Sequence, residues 1–175
     1  MLSLDFSEFS VALDEDEFSE YPVELEEFLY SEKFLGLPPL SPIQEEIVRR
    51  GSQIYLEHTL KKLHGEIKGR KFWIENCNEL IFCLGKGSGK DFISQVICCY
   101  IVYQLLCLKD PASYYGKPTG DHIDIVNVAI NAKQANNVFF AGLKTRIREC
   151  PWFNGRYTAR QSDIVFEKEI RVHSL

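Results

Sequence analysis

The run Gly85-Lys86-Gly87-Ser88-Gly89-Lys90, followed by Asp91, is the part of this sequence best suited to chemistry. Glycines let a backbone turn tightly and bring its N–H groups close to an anion. A helix starting at the last glycine would point its unpaired N–H groups and its dipole at the same anion. Lys90, one residue past that glycine, can reach the outer phosphates of a nucleotide as a compact positive charge, with Lys86 as a second cation. The residues therefore predict a phosphate-binding loop that holds ATP, with Gly85, Lys86, Gly87, Ser88, Gly89, Lys90 and Asp91 around the ligand. The pattern G-x-x-x-x-G-K-[ST] is incomplete in two places: Leu84 stands where its first Gly belongs, and Asp91 where its Ser or Thr belongs. A carboxylate is a good hard-oxygen ligand, so Asp91 is the candidate for Mg²⁺, directly or through a metal-bound water. The plainer reading is a glycine turn capping a core helix, with Asp91 complementing the dipole.

The elements around the loop support the phosphate reading. Residues 80–84 form a short continuous apolar run, which predicts a strand buried on both faces as in a parallel sheet. A long apolar helix is expected from Lys90 to about Leu108, and its stretch 96–108 is too short to span a membrane. Ser41 is a good N-cap and Pro42 suits a first helical position, so a helix should begin there and carry Ile43, Ile47, Val48, Ile54 and Tyr55 at helical spacing. Gly65 and Gly69 read as the loop after it. Residues 123–130 predict a second strand. Asn131 is a plausible N-cap for a helix toward Cys150, with Val138, Phe139 and Ile147 inward and Pro151 as its stop. Residues 163–166 and 170–174 predict two short strands joined at Glu167-Lys168-Glu169. This order is α/β, a P-loop three-layer fold with a mainly parallel sheet.

The 175 residues suit one domain with a real core. Residues 1–30 hold ten acidic side chains and no Lys or Arg, so the net −5 of the chain divides into −10 here and +5 in the rest. An acidic arm over 1–30, mobile over its first 20 residues, is expected ahead of a mildly basic body from residue 31. The six cysteines form no C-x-x-C pair and have no His at zinc-ligand spacing, which argues for reduced thiols in a cytoplasmic protein. No signal peptide is expected, because Asp5, Glu8 and Asp14 interrupt the first apolar residues. His58, His64, His122 and His173 share no ligand spacing.

Three segments together resemble the large subunit of phage terminases: residues 34–44 (FLGLPPLSPIQ), the loop 85–91, and residues 124–140 (DIVNVAINAKQANNVFF). That resemblance implies an ATPase that drives double-stranded DNA into capsids, working with a portal and a small terminase subunit, as a homo-oligomeric ring in the cytoplasm of a bacterial host. It implies that Gln44 recognises adenine; the local sequence alone favours Ser41-x-x-Gln44 as a capping box. It implies catalytic roles for Lys90 and Lys86, although Lys86 stands where the family often has Arg. Asn131, Lys133 and Gln134, at a strand's C-terminal end, are placed for DNA or coupling contacts, or are a surface helix start. Lys144, Arg146, Arg148, Arg156 and Arg160 are a basic cluster in sequence, facing DNA, a neighbouring subunit or solvent. Trp152 and Phe153 read as packing residues.

A P-loop ATPase also needs acidic residues at the end of another strand. No apolar run after residue 91 ends in such a pair, and the chain stops at Leu175. The expectation is a truncated front half of the ATPase domain, without its acidic strand or a nuclease domain, that binds nucleotide without turnover. Two other classes stay open: a fragment of a helicase-like ATPase, and a non-hydrolysing nucleotide-binding or interaction module.

Overall fold

A computed structural model describes residues 17–75, 79–81, 83–128 and 135–174. Its centre is helix α5 (Lys90–Cys107), which is buried on nearly every side. Ile93, Val96, Cys99, Val102, Tyr103, Leu106 and Cys107 are each at most 1% exposed, so the apolar run works as a core helix. Burying each large apolar side chain of this kind contributes about 1.5–3 kcal/mol. Helix α5 is long and apolar enough to cross a membrane, yet 67% of it is enclosed by the rest of the chain. Aromatic rings wall it in: Phe28 and Trp152 each lie 4.7 Å from Tyr103, centroid to centroid. Gln104, a buried amide within this run, donates to the Ser52 carbonyl at 2.6 Å.

Helix α1 (Leu25–Tyr30) buries Leu25, Phe28 and Leu29 against this core. The chain before it is tied down as well. Phe18 bridges Leu108, and the Ser19 N–H donates to the Cys107 carbonyl at 2.8 Å. Glu20 accepts from the Trp152 indole at 3.2 Å and pairs with Arg156 at 3.5 Å. Residues 17–30 of the acidic stretch thus pack onto the body, and residues 1–16 lie outside the described residues.

Helix α2 (Pro42–Gly51) starts at Ser41 as expected but stops at Gly51 instead of running through Tyr55. The Ser52 hydroxyl takes the Val48 carbonyl at 2.6 Å, and Gly51 is crowded: a Cβ there would lie 2.9 Å from both Ile97 and Leu80. Helices α3 (Glu57–His64) and α4 (Glu66–Glu75) follow where a loop was expected. Gly69 lies inside α4, because a Cβ there would be 2.3 Å from the Lys61 nitrogen; it permits a close helix crossing. A short helix, α6 (Pro111–Tyr114), is capped by Asp110.

The sheet contains β1 (Ile123–Asn127), β2 (Tyr157–Ala159), β3 (Asp163–Phe166) and β4 (Ile170–Ser174), in the order β1-β4-β3-β2. Only β1 and β4 are parallel; β4, β3 and β2 run antiparallel. The expected mainly parallel sheet is therefore corrected to a mixed one. Residues 80–84 are not a strand either: 79–81 and 83–85 are irregular, Phe82 lies outside the described residues, and Ile81 is 76% exposed. A continuous apolar run reports burial only when neighbouring strands flank it on both sides. Here Leu80 packs over Gly51, beside α2 and α5, and not in a sheet.

After β1, a π-helical turn (Ala135–Phe140) leads into α7 (Ala141–Glu149), which ends before the 3₁₀ turn Pro151–Phe153. The wider π repeat shifts the inward face. Phe140, Leu143 and Ile147 are buried, while Val138, expected inward, is exposed. Ile164, Phe166, Ile170 and Val172 form the buried face of the sheet.

Candidate phosphate-binding site

The loop forms because two glycines adopt backbone conformations that side chains resist. Gly87 (φ 84°) and Gly89 (φ 78°) are left-handed, and the Ser88 N–H donates to the Gly85 carbonyl at 3.3 Å. Gly89 is the N-cap of α5, and no side chain caps that end. The first-turn amides and the positive end of an 18-residue helix therefore face the loop. Space beside Gly85 and Gly87 is open. Lys86, Lys90 and Asp91 are exposed, and among the described residues none enters an ion pair. Both cations and the carboxylate are thus available to a ligand.

Gln44 joins the loop from α2. Its backbone N–H donates to Ser41 Oγ at 3.3 Å, and its Oε1 accepts from the Ser41 N–H at 3.1 Å, so the capping box is formed. The same amide donates Nε2 to the Ser88 carbonyl at 3.3 Å. An amide NH₂ has two protons, so capping and loop contact leave one donor over. The Ser88 hydroxyl is buried with no hydrogen-bond partner. An orphaned hydroxyl beside an uncapped helix end fits a loop built for an anion.

These residues also fit Mg²⁺. No group of three His, Cys, Asp or Glu side chains converges among the described residues. A bound ion would rest on Asp91 and on the phosphate oxygens and waters that usually complete its octahedron.

Other candidates fall elsewhere. Asn131, Lys133 and Gln134 lie outside the described residues. The basic cluster is dispersed. Lys144 donates to the Arg160 and Gln161 carbonyls, Arg156 covers the Trp152 ring at 4.1 Å, and Arg160 pairs with Asp163 at 3.5 Å. Arg146 turns toward α5. Trp152 and Phe153 are buried packing residues. Each histidine pairs with a carboxylate: His58 with Glu17, His64 with Glu24, His122 with Glu169 and His173 with Asp124. Burial pushes the thiols of Cys98 and Cys107 up to about 12, which leaves them protonated and unreactive. A cavity of about 410 Å³ opens at the far end of α2, lined by Arg49, Tyr55, Phe72, Tyr100 and Gln104; no loop residue lines it. The uncapped helix end and the exposed Lys86 and Lys90 lie at the loop instead.

Gln95, a buried amide of α5 that the sequence reading did not single out, accepts from Arg146 Nε at 3.0 Å.

A glycine loop at the N-terminus of a buried helix, in a chain that also carries a mixed sheet, is in keeping with a P-loop domain. The chain belongs to the family described as the N-terminal P-loop domain of the uncharacterized protein MJ0330, whose model matches residues 4–175. It is similar to the uncharacterized protein MJ0330 of Methanocaldococcus jannaschii, 41% identical over 70 residues. Those residues are 40% of this chain and 12% of that relative. The alignment thus spans about an eighth of the relative. No solved structure matches the chain. The family's description stops at a P-loop domain, and neither description speaks of DNA packaging.

Proposed function

We propose that the chain binds ATP with Mg²⁺ at residues 85–91 and forms the nucleotide-binding part of an ATP-driven motor. The observation that carries this reading is the uncapped N-terminus of α5 beneath a loop bent by Gly87 and Gly89. Lys90 and Lys86 neutralise the outer phosphates, Asp91 carries the cation, and the backbone N–H groups cradle the chain of phosphates. Gln44, held by Ser41 and Ser88, offers its remaining amide proton to the base. Titration of the chain with fluorescent ATP tests the site. Lys90→Ala should lower affinity at least tenfold, and equal affinity would sink the reading.

The finer proposal is that the motor is of the terminase type, acting on double-stranded DNA with a portal and a small subunit. It rests on the likeness of residues 34–44, 85–91 and 124–140 to that family. DNA-stimulated ATP turnover by the longer proteins that carry this domain would support it. Turnover indifferent to DNA would remove it and leave the nucleotide site standing.

A further inference from the structure

Arg146 of α7 is half-buried and has an unusual set of neighbours. Its Nε donates to Gln95 Oε1 at 3.0 Å, and its guanidinium carbon lies 4.2 Å from the centre of the Phe92 ring. It makes no ion pair among the described residues. Burial lowers its pKa, and the groups acting against that are the neutral Cys99 thiol and the largely exposed Glu149. A charge taken part-way out of water without a counter-ion is costly, and proteins normally supply one.

The arrangement is built, not incidental. Gln95 is 6% exposed and spends its Nε2 on the Val138 carbonyl of the π-helical turn at 3.3 Å. That leaves its Oε1 to fix Arg146. A Cβ on Gly142 would lie 2.3 Å from Gln95 Nε2, so a side chain there would push the Gln95 amide from its place. Phe92 is the third residue of α5, counting from the loop. Helical side chains lean toward the N-terminus, which directs Phe92 toward the end of α5 that carries the loop. Arg146 lies on that ring. With Nε committed to Gln95 and one face on Phe92, the guanidinium keeps its forked edge for an anion, which it binds in bidentate fashion.

We infer that Arg146 is a phosphate-reading residue: its forked edge supplies the counter-charge for the terminal phosphate of a nucleoside triphosphate held in the loop. This rests on the ATP reading of residues 85–91. The terminal phosphate carries the largest share of the triphosphate's charge. It is also the group by which ATP and ADP differ, so an arginine directed at it separates the two.

Affinities for Mg²⁺-ATP and Mg²⁺-ADP in wild type, Arg146→Gln, Arg146→Lys and Lys90→Ala test this, with thermal unfolding of each protein without nucleotide. Arg146→Gln should lose roughly tenfold in ATP affinity, the scale of one charge-assisted hydrogen bond, and change ADP affinity by less than about threefold. Arg146→Lys should recover part of the ATP affinity, since it keeps charge without the fork. The unfolding temperature without nucleotide should hold or rise in Arg146→Gln, because an unpaired charge has been removed. Unchanged ATP affinity in Arg146→Gln overturns the inference. So does equal loss for ATP and ADP with a lower unfolding temperature, which marks a packing role only. If Lys90→Ala binds ATP like wild type, the loop reading fails and this inference with it; if only Arg146→Gln does so, the loop reading stands alone.

Discussion

The side-chain amide of Gln44 donates to the backbone carbonyl of Ser88 at 3.3 Å, which ties the first turn of α2 to the phosphate loop. The same side chain closes the capping box with Ser41, so one residue serves helix start and loop together.

That double duty can be divided by mutation. Ser41→Ala removes the cap and should cost about 1 kcal/mol of stability while leaving base preference alone. Gln44→Ala removes cap, loop tether and the spare amide proton together. It should lose a similar amount of stability and also the preference for ATP over GTP. Chemical denaturation and nucleotide competition on both variants make the comparison. If the two variants behave alike in competition, Gln44 is a helix cap only.

Asp91 should matter through Mg²⁺. ATP affinity measured with and without the ion should show a Mg²⁺ benefit that shrinks in Asp91→Ala and survives better in Asp91→Ser, whose hydroxyl is still an oxygen ligand. Should the benefit be the same in Asp91→Ala as in wild type, the carboxylate only complements the helix dipole, worth ~0.3–1 kcal/mol.

The loop and its helix were legible because both are local. Glycines, a lysine and an apolar run fix α5 from within a single stretch, as Ser41 and Pro42 fix the start of α2. The sheet was less legible, because an apolar run such as 80–84 becomes a strand only if partners arrive from elsewhere. The pairs β1–β4 and β2–β3 depend on residues far apart or on a three-residue strand too short to show alternation. Helix α4 was hidden by Gly69, which reads locally as a breaker although its reason is a backbone 2.3 Å from where its Cβ would be. The shift in inward face at Val138 had no local signal, since a π-helical turn is set by packing against α5.

Gly69 gives a direct test of that close crossing. Gly69→Ala improves helix propensity by up to ~1 kcal/mol. It also drives a methyl into the Leu60–Lys61 backbone, which cannot swing away as a side chain would. The net should be destabilising by about 1–3 kcal/mol. Gly65→Ala, at φ 84° and ψ 159° with open space around it, should cost the backbone strain of a conformation reserved for glycine, about 1–3 kcal/mol. Addition of Ala at residue 69 without loss of stability in urea would show that α3 and α4 are not in contact there.

The hairpin between β3 and β4 sets up the last test, at Lys168 and Glu169. Both are left-handed at φ 57°, where non-glycine residues are strained by roughly 1–2 kcal/mol each. Lys168 repays its strain: Nζ donates to the Leu106 carbonyl at 2.6 Å, to the Leu108 carbonyl, and to Ser19 Oγ at 2.7 Å. It thereby caps the C-terminal end of α5, opposite the phosphate loop, and pins the segment before α1. Glu169 offers only exposed contacts, to Arg171 at 3.0 Å and to His122 at 4.0 Å. Glu169→Gly should therefore stabilise the protein by about 0.5–1 kcal/mol, strain relief exceeding the lost contact and the added chain entropy. Lys168→Gly relieves the same strain but strips the helix end of its cation and three hydrogen bonds. It should destabilise by about 1–2 kcal/mol, since hydrogen bonds from a charged donor are worth about 1.5–3 kcal/mol. Lys168→Met, which keeps the strain and loses the charge, should be worse than either. Urea unfolding of the three variants orders them. A Lys168→Gly protein as stable as Glu169→Gly would mean that the ammonium contributes nothing at the end of α5.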